Sequence, residues 1–206
     1  MKNIRVLIAD DHTIVRIGLS ALLSAEKDIS VVGEACNGKQ AVIEAMNLSP
    51  DVVIMDLVMP VKNGIDATRE ILEHLPATKV VILTSFGTTD GIARALQAGA
   101  AGAIMKTADD GALVAAIRQV AQGVRIISPE IRRMLREDPP VPELSTRQKE
   151  ILRSIATGRT NKGIADELGI RKDSVEDYIR TLFAKLGAAN RAEAVAIALR
   201  KHLLKI

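Results

Sequence analysis

Five times in its first 122 residues this chain follows a Val/Ile-rich apolar run with a segment of helical spacing, and few folds accommodate that alternation. The runs are IRVLIAD, ISVVGEA, DVVIMD, KVVILTS and AGAIMK. Helices are expected between them over about 13–24, 39–47, 65–74, 90–97 and 109–122. Val52 to Met55 are four consecutive aliphatic residues with no polar alternation. A strand of that kind is buried on both faces, which requires a parallel sheet covered by helices on either side. The first domain is therefore expected to be a doubly wound α/β domain with a five-stranded parallel sheet.

The alternation stops after Gly123. RIISPEIRRMLRED has room for one short helix, and DPPVPE places three prolines in six residues, which no helix continues through. From Leu144 onward no strand pattern remains. Four helical segments are expected instead, around 146–157, 161–168, 172–186 and 190–203, punctuated by Gly158, Gly169 and Gly187. The expected organisation is a sheet domain over 1–122, a linker over 123–143, and an all-α four-helix domain over 144–206.

Charge follows the same division. The formal net charge of +3 conceals 15 Lys+Arg against 18 Asp+Glu up to residue 143, and 13 against 7 beyond it. A basic third joined to a mildly acidic body points to nucleic acid at one end. No uncharged run approaches the roughly 20 residues of a membrane span, and MKNIRVLIADDH turns acidic too early for a signal peptide. A cytoplasmic protein with no membrane partner is expected. The single cysteine, Cys36, agrees with a reducing compartment.

The chemistry-bearing residues of the first domain fall at strand ends. Asp10 and Asp11 follow the first strand, Asp56 the third, Thr84 ends the fourth and Lys106 closes the fifth. In open α/β sheets, that carboxyl rim is where ligands bind, at the point where strand order reverses. Three converging carboxylates repel and call for a counter-ion, and an all-oxygen set suits Mg²⁺ with water and phosphate oxygens completing the shell. Lys106 could pair with a phosphoryl oxygen and the Thr84 hydroxyl could donate to another.

IADDH, DVVIMDLVMPVKNG, VVILTS and AGAIMK together resemble the receiver domain of bacterial response regulators. The resemblance implies a flavodoxin-like (CheY-like) strand order. It also implies that Asp56 accepts a phosphoryl group from a sensor histidine kinase, and that Asp11, Asp56 and the Val58 carbonyl ligate Mg²⁺ with Asp10 nearby. Lys106 would hold the phosphoryl group and Thr84 would move toward it. One position departs from the family: after Gly102, where an aromatic or histidine is usual, stands Ala103, whose methyl has no rotamers to switch. The signal is expected to leave through another element, such as a helix beginning near Thr88, or to be smaller than usual.

LSTRQKEILRSIATGRTNKGIADELGIRKDSVEDYIRTLFAKLGAANRAEAVAIAL resembles the LuxR-type DNA-binding domain of the NarL/FixJ class. The segment at 161–168, the turn GIRK and the segment at 172–186 have the dimensions of a helix-turn-helix whose second helix enters the major groove of double-stranded DNA. At about 100° per residue, Val175, Ile179, Leu182, Phe183 and Leu186 form its core side, opposite Asp173, Asp177, Arg180, Thr181 and Ala184. Base contacts are expected from Arg180, Thr181 and Asp177, with Ser174 on the same helix as a further DNA contact. Backbone contacts are expected from Lys162, Arg171, Lys172 and Lys185.

These features give a phosphorylation-controlled transcriptional regulator, not an enzyme, forming homodimers on DNA or on phosphorylation. Two other readings are weaker. A phosphate-independent interaction module rests on Ala103 alone. A Mg²⁺-dependent phosphohydrolase predicts substrate-binding insertions that the sequence lacks, and leaves the helix-turn-helix without a purpose.

Overall fold

A computed structural model describes residues 3–85, 89–201 and 203–204. Two compact units divide between Pro139 and Pro140. The first is a parallel sheet in the order β2-β1-β3-β4-β5-β6. In chain order its elements are β1 (Ile4–Ala9), α1 (Thr13–Ser24), β2 (Ile29–Ala35), α2 (Gly38–Leu48), β3 (Val52–Met55), α3 (Gly64–His74), β4 (Lys79–Thr84), α4 (Thr89–Gln97), β5 (Gly102–Met105), α5 (Asp110–Ala121), β6 (Ile126–Ile127) and α6 (Pro129–Glu137). The expected helix start at Thr88 lies outside the described residues; α4 runs from Thr89.

Alternation along each strand explains the unbroken apolar runs. Leu7, Val53, Met55, Val80 and Ile82 face one buried cluster, while Val6, Ile8, Ile54, Val81 and Leu83 face the other. A strand covered on both sides has no face left for polar residues. The chain steps from β1 outward to β2, then back across β1 to β3, so the order reverses between β1 and β3. The carboxyl ends of those two strands are where a ligand belongs.

The sheet has six strands where five were expected. Ile126 and Ile127 pair in parallel with Gly102 and Ala103. Ser128 then caps α6 by accepting the Ile131 N–H, with Pro129 in the first turn. Ile131 is fully buried in the cluster that holds Ala103. The first unit thus extends past residue 122, because the stretch read as the start of a linker edges the sheet and covers its core.

The second unit contains α7 (Thr146–Ala156), α8 (Asn161–Leu168), α9 (Lys172–Leu186) and α10 (Arg191–Arg200). Ser145 and Gln148 form a reciprocal capping box at α7, and the Thr160 hydroxyl caps α8. Gly169 and Gly187 end α8 and α9 in the left-handed region, where an L side chain would be strained. Ile151, Leu152, Ile164, Val175, Leu182 and Ala194 are its core.

Candidate functional site

Asp10 and Asp56 stand one residue beyond paired strands, where the ladder continues through Asp56 N–H donating to the Ala9 carbonyl at 2.9 Å. The neighbouring backbones fix both carboxylates side by side. Each is nearly sealed from solvent, at 2% and 5% exposure. Lys106, just beyond β5, reaches across to both: its Nζ lies 2.6 Å from Asp10 Oδ2 and 2.8 Å from Asp56 Oδ2. Burial pushes the Asp56 carboxyl above its ordinary value despite the nearby Lys106 and the Leu57 N–H. Burial by itself would lower Lys106, but its hydrogen bonds to Asp10 and Asp56 outweigh that and raise it.

Asp11 is more open and bonds to His12, whose Nδ1 lies 2.8 Å from Asp11 Oδ1 and 3.2 Å from Asp10 Oδ1. Asp10, Asp11, His12 and Asp56 each bring one ligand atom within 4.8 Å of the others. Three carboxylates against a single lysine leave excess negative charge, and hard oxygen donors fit Mg²⁺ better than a softer ion. His12 is a member of this cluster that the sequence pattern did not single out.

The loop from Asp56 to α3 is held by two close approaches. A Cβ on Gly64 would lie 1.9 Å from the Asp56 carbonyl oxygen, and one on Gly38 would lie 2.3 Å from the Lys62 carbonyl oxygen. Only hydrogen fits at either place. Between them, Lys62 N–H donates to the Pro60 carbonyl at 2.7 Å, closing a three-residue turn on Val61 at φ 68°. A β-branched residue in that region is strained, and strain of this sort concentrates where geometry serves a ligand. Val58 and Val61 project into solvent. Thr84, 1% exposed, ends β4 and its carbonyl accepts the Lys106 N–H at 2.8 Å. Ala103 is fully buried within β5.

Residues 6–118 match the response regulator receiver domain, and residues 142–198 match the bacterial regulatory proteins of the luxR family. The chain is a response regulator. It is 39% identical to the transcriptional regulatory protein LiaR of Bacillus subtilis (strain 168), across 98% of this chain and 99% of LiaR. It is 37% identical to the response regulator protein VraR of Staphylococcus aureus (strain NCTC 8325 / PS 47), across 98% of this chain and all of VraR. A structure of RcsB from Salmonella enterica serovar Typhimurium, bound to promoter P1flhDC with the phosphomimetic BeF3-, superposes with a TM-score of 0.70. That match has 26% identity over 95% of this chain and 98% of RcsB.

The regulator thus joins a receiver to a LuxR-type DNA-binding domain, as expected from its sequence. Receiver domains hold Mg²⁺ at an acidic cluster, and a candidate cluster is present here. Among the described residues no helix is long and apolar enough to cross a membrane.

In the regulator's second unit, the outward face of α9 carries Asp173, Asp177, Arg180, Thr181 and Ala184, all exposed, opposite buried Val175, Leu182 and Leu186. Arg171 precedes α9, and both it and Lys172 are exposed; Ser174 is half-buried. Lys162 is exposed in the first turn of α8. Two expected DNA contacts are committed within the domain. Lys185 Nζ donates to the Glu143 carbonyl at 2.6 Å and to Gln148 Oε1 at 3.0 Å, while Gln148 Nε2 donates to Thr181 Oγ1 at 3.3 Å. Gln148, which organises both, is legible from sequence only as a helix cap.

Proposed function

We propose that Asp56 is the phosphoacceptor through which a sensor histidine kinase controls DNA binding by this regulator. The observation that carries this reading is the pair of buried carboxylates, Asp10 and Asp56, bridged by Lys106 at the switch point of the sheet. An Asp56 carboxylate oxygen attacks the phosphorus of a phosphohistidine; the new O–P bond forms as the P–N bond breaks, and the imidazole leaves to take up a proton. Lys106 follows the developing charge on the phosphoryl oxygens, and the Thr84 hydroxyl, once moved toward the site, would donate to another. Asp10, Asp11, Asp56 and the Val58 carbonyl would hold Mg²⁺, which when bound neutralises part of that charge. As a DNA-binding regulator the protein is expected to work in the cytoplasm.

With Ala103 unable to turn, the output is assigned to α4. Thr89, its first described residue, donates from Oγ1 to Asp138 Oδ2 at 2.8 Å. Asp138 caps the C-terminus of α6 and directly precedes Pro139 and Pro140. A shift of α4 on phosphorylation would therefore act on Asp138, two residues before the second unit begins. In that unit α9 is assigned to the major groove, with Arg180 as base reader and Lys162, Arg171 and Lys172 on phosphates.

Incubation with Mg²⁺ and acetyl phosphate, followed by native mass measurement, tests the reading. The wild type is expected to form dimers and Asp56→Ala to remain unchanged. Equal behaviour of the two proteins would favour the phosphate-independent module that Ala103 alone supports.

A further inference from the structure

A helix that approaches DNA phosphates gains nothing from exposed acids, yet α9 presents three. Each touches a base: Asp173 Oδ2 lies 3.4 Å from Arg171 Nη2, Glu176 Oε1 lies 3.4 Å from Lys172 Nζ, and Asp177 Oδ1 bonds to Arg180 Nη2. The first two are loose pairs at the start of the helix. The third is a hydrogen-bonded pair one turn apart at mid-helix, on the face opposite the core.

Arg180 is also distinguished by its neighbours. Thr181 Oγ1 donates to the Tyr178 carbonyl at 3.0 Å and receives Gln148, and Lys185 is turned toward Glu143 and Gln148. Both are held by their own domain. Arg180, 77% exposed, is the long donor left projecting from this face, and its described partner is Asp177. A guanidinium has five N–H groups, so one bond to Asp177 leaves enough for a two-bond fork.

We propose that Asp177 is a positioning residue for specificity: it orients the Arg180 guanidinium to donate two hydrogen bonds to the O6 and N7 of a guanine. Arginine bonded to both atoms is the commonest specific contact in the major groove. A freely rotating arginine reads phosphates and bases alike; one held by a carboxylate loses that freedom and is offered in a single geometry. The pairing also removes a net positive charge from the helix, which weakens attraction to DNA of any sequence. Asp177 thus trades general affinity for discrimination. An aspartate reading cytosine N4 directly would not need to hold Arg180.

The inference rests on α9 entering the major groove, and the test separates the two. The full-length protein, with Mg²⁺ and beryllofluoride present throughout, selects sites from a randomised duplex library, and binding to the selected site and its single-pair variants is then measured by anisotropy. Wild type is expected to require guanine at one position of each half-site. Asp177→Ala should lower discrimination there about tenfold and leave other positions unchanged. It should also bind random DNA more tightly, with a salt slope steeper by about 1. Arg180→Lys should lose the same position, and adding Asp177→Ala to it should change nothing further. Unchanged discrimination in Asp177→Ala overturns the proposal, as does loss at a cytosine that Arg180→Lys still reads. Failure of the wild type to enrich any site overturns the groove assignment, and this proposal with it.

Discussion

At Asp56 burial and attraction oppose each other, and burial prevails. A carboxyl whose folded pKa is raised binds protons more readily in the native state than in the unfolded chain. Stability therefore falls as pH rises from the ordinary value near 3.8 through the raised one, and the cost persists above it. Asp56→Asn has no such cost. In chelator at about pH 7 it is expected to melt above wild type, with the two converging below about pH 4. Thermal scans by circular dichroism read this directly. Mg²⁺ should act against that order, since an ion at about ten times its dissociation constant stabilises the wild type by about 1.4 kcal/mol. The supporting loop gives two further expectations. Gly64→Ala drives a methyl into the Asp56 carbonyl and should cost about 3 kcal/mol. Val61→Asn relaxes a left-handed valine and should raise stability by about 1 kcal/mol, measured by denaturant titration. The carboxylates were legible in the sequence because each follows a strand. Gly38, Gly64 and Val61 were not, because only the folded chain brings Lys62 to Gly38 or bends Val61 back.

The helices and the five longer strands follow from local patterning, within one or two residues at most ends, because caps such as Asn37, Asn63 and Asp109 mark their starts. β6 does not. Two residues carry no period, and Ile126 and Ile127 become a strand only because Gly102 and Ala103 offer them an open edge. The helix after it was visible in outline, but its attachment was not: Ile131 is buried in the sheet's own core. Ile131→Ala is therefore expected to cost about 2–5 kcal/mol. A fragment ending at residue 122 should unfold at lower urea than one ending at Pro139, the loss falling on the unit that contains Asp56. Equal midpoints for the two fragments would mean that β6 and α6 contribute nothing to that unit.

At the scale of the chain, a count of charges told which end meets nucleic acid, since seven acids against thirteen bases after residue 143 needs no geometry to interpret. How one unit informs the other is a coupling free energy, and composition has no term for it. Coupling is reciprocal: if a beryllofluoride adduct at Asp56 tightens DNA binding by some factor, DNA tightens adduct formation by the same factor. Asp138 is the residue at which the proposed route can be tested, because its carboxylate accepts from Thr89 of α4 one residue before Pro139. Replacing it leaves both ends of the relation chemically intact. Asp138→Ala is expected to take up beryllofluoride without DNA as the wild type does, and to bind DNA without beryllofluoride as the wild type does. The ratio of DNA affinities with and without beryllofluoride should fall by a few fold, within the roughly 0.5–2 kcal/mol by which residues remote from both sites alter coupling. Anisotropy titrations of one operator duplex in the four combinations measure that ratio. A ratio equal to that of the wild type would exclude Asp138 from the route, and would leave β5 and α6 joined through the Ser128 N–H, which donates to the Ala103 carbonyl at 3.0 Å, and through buried Ile131.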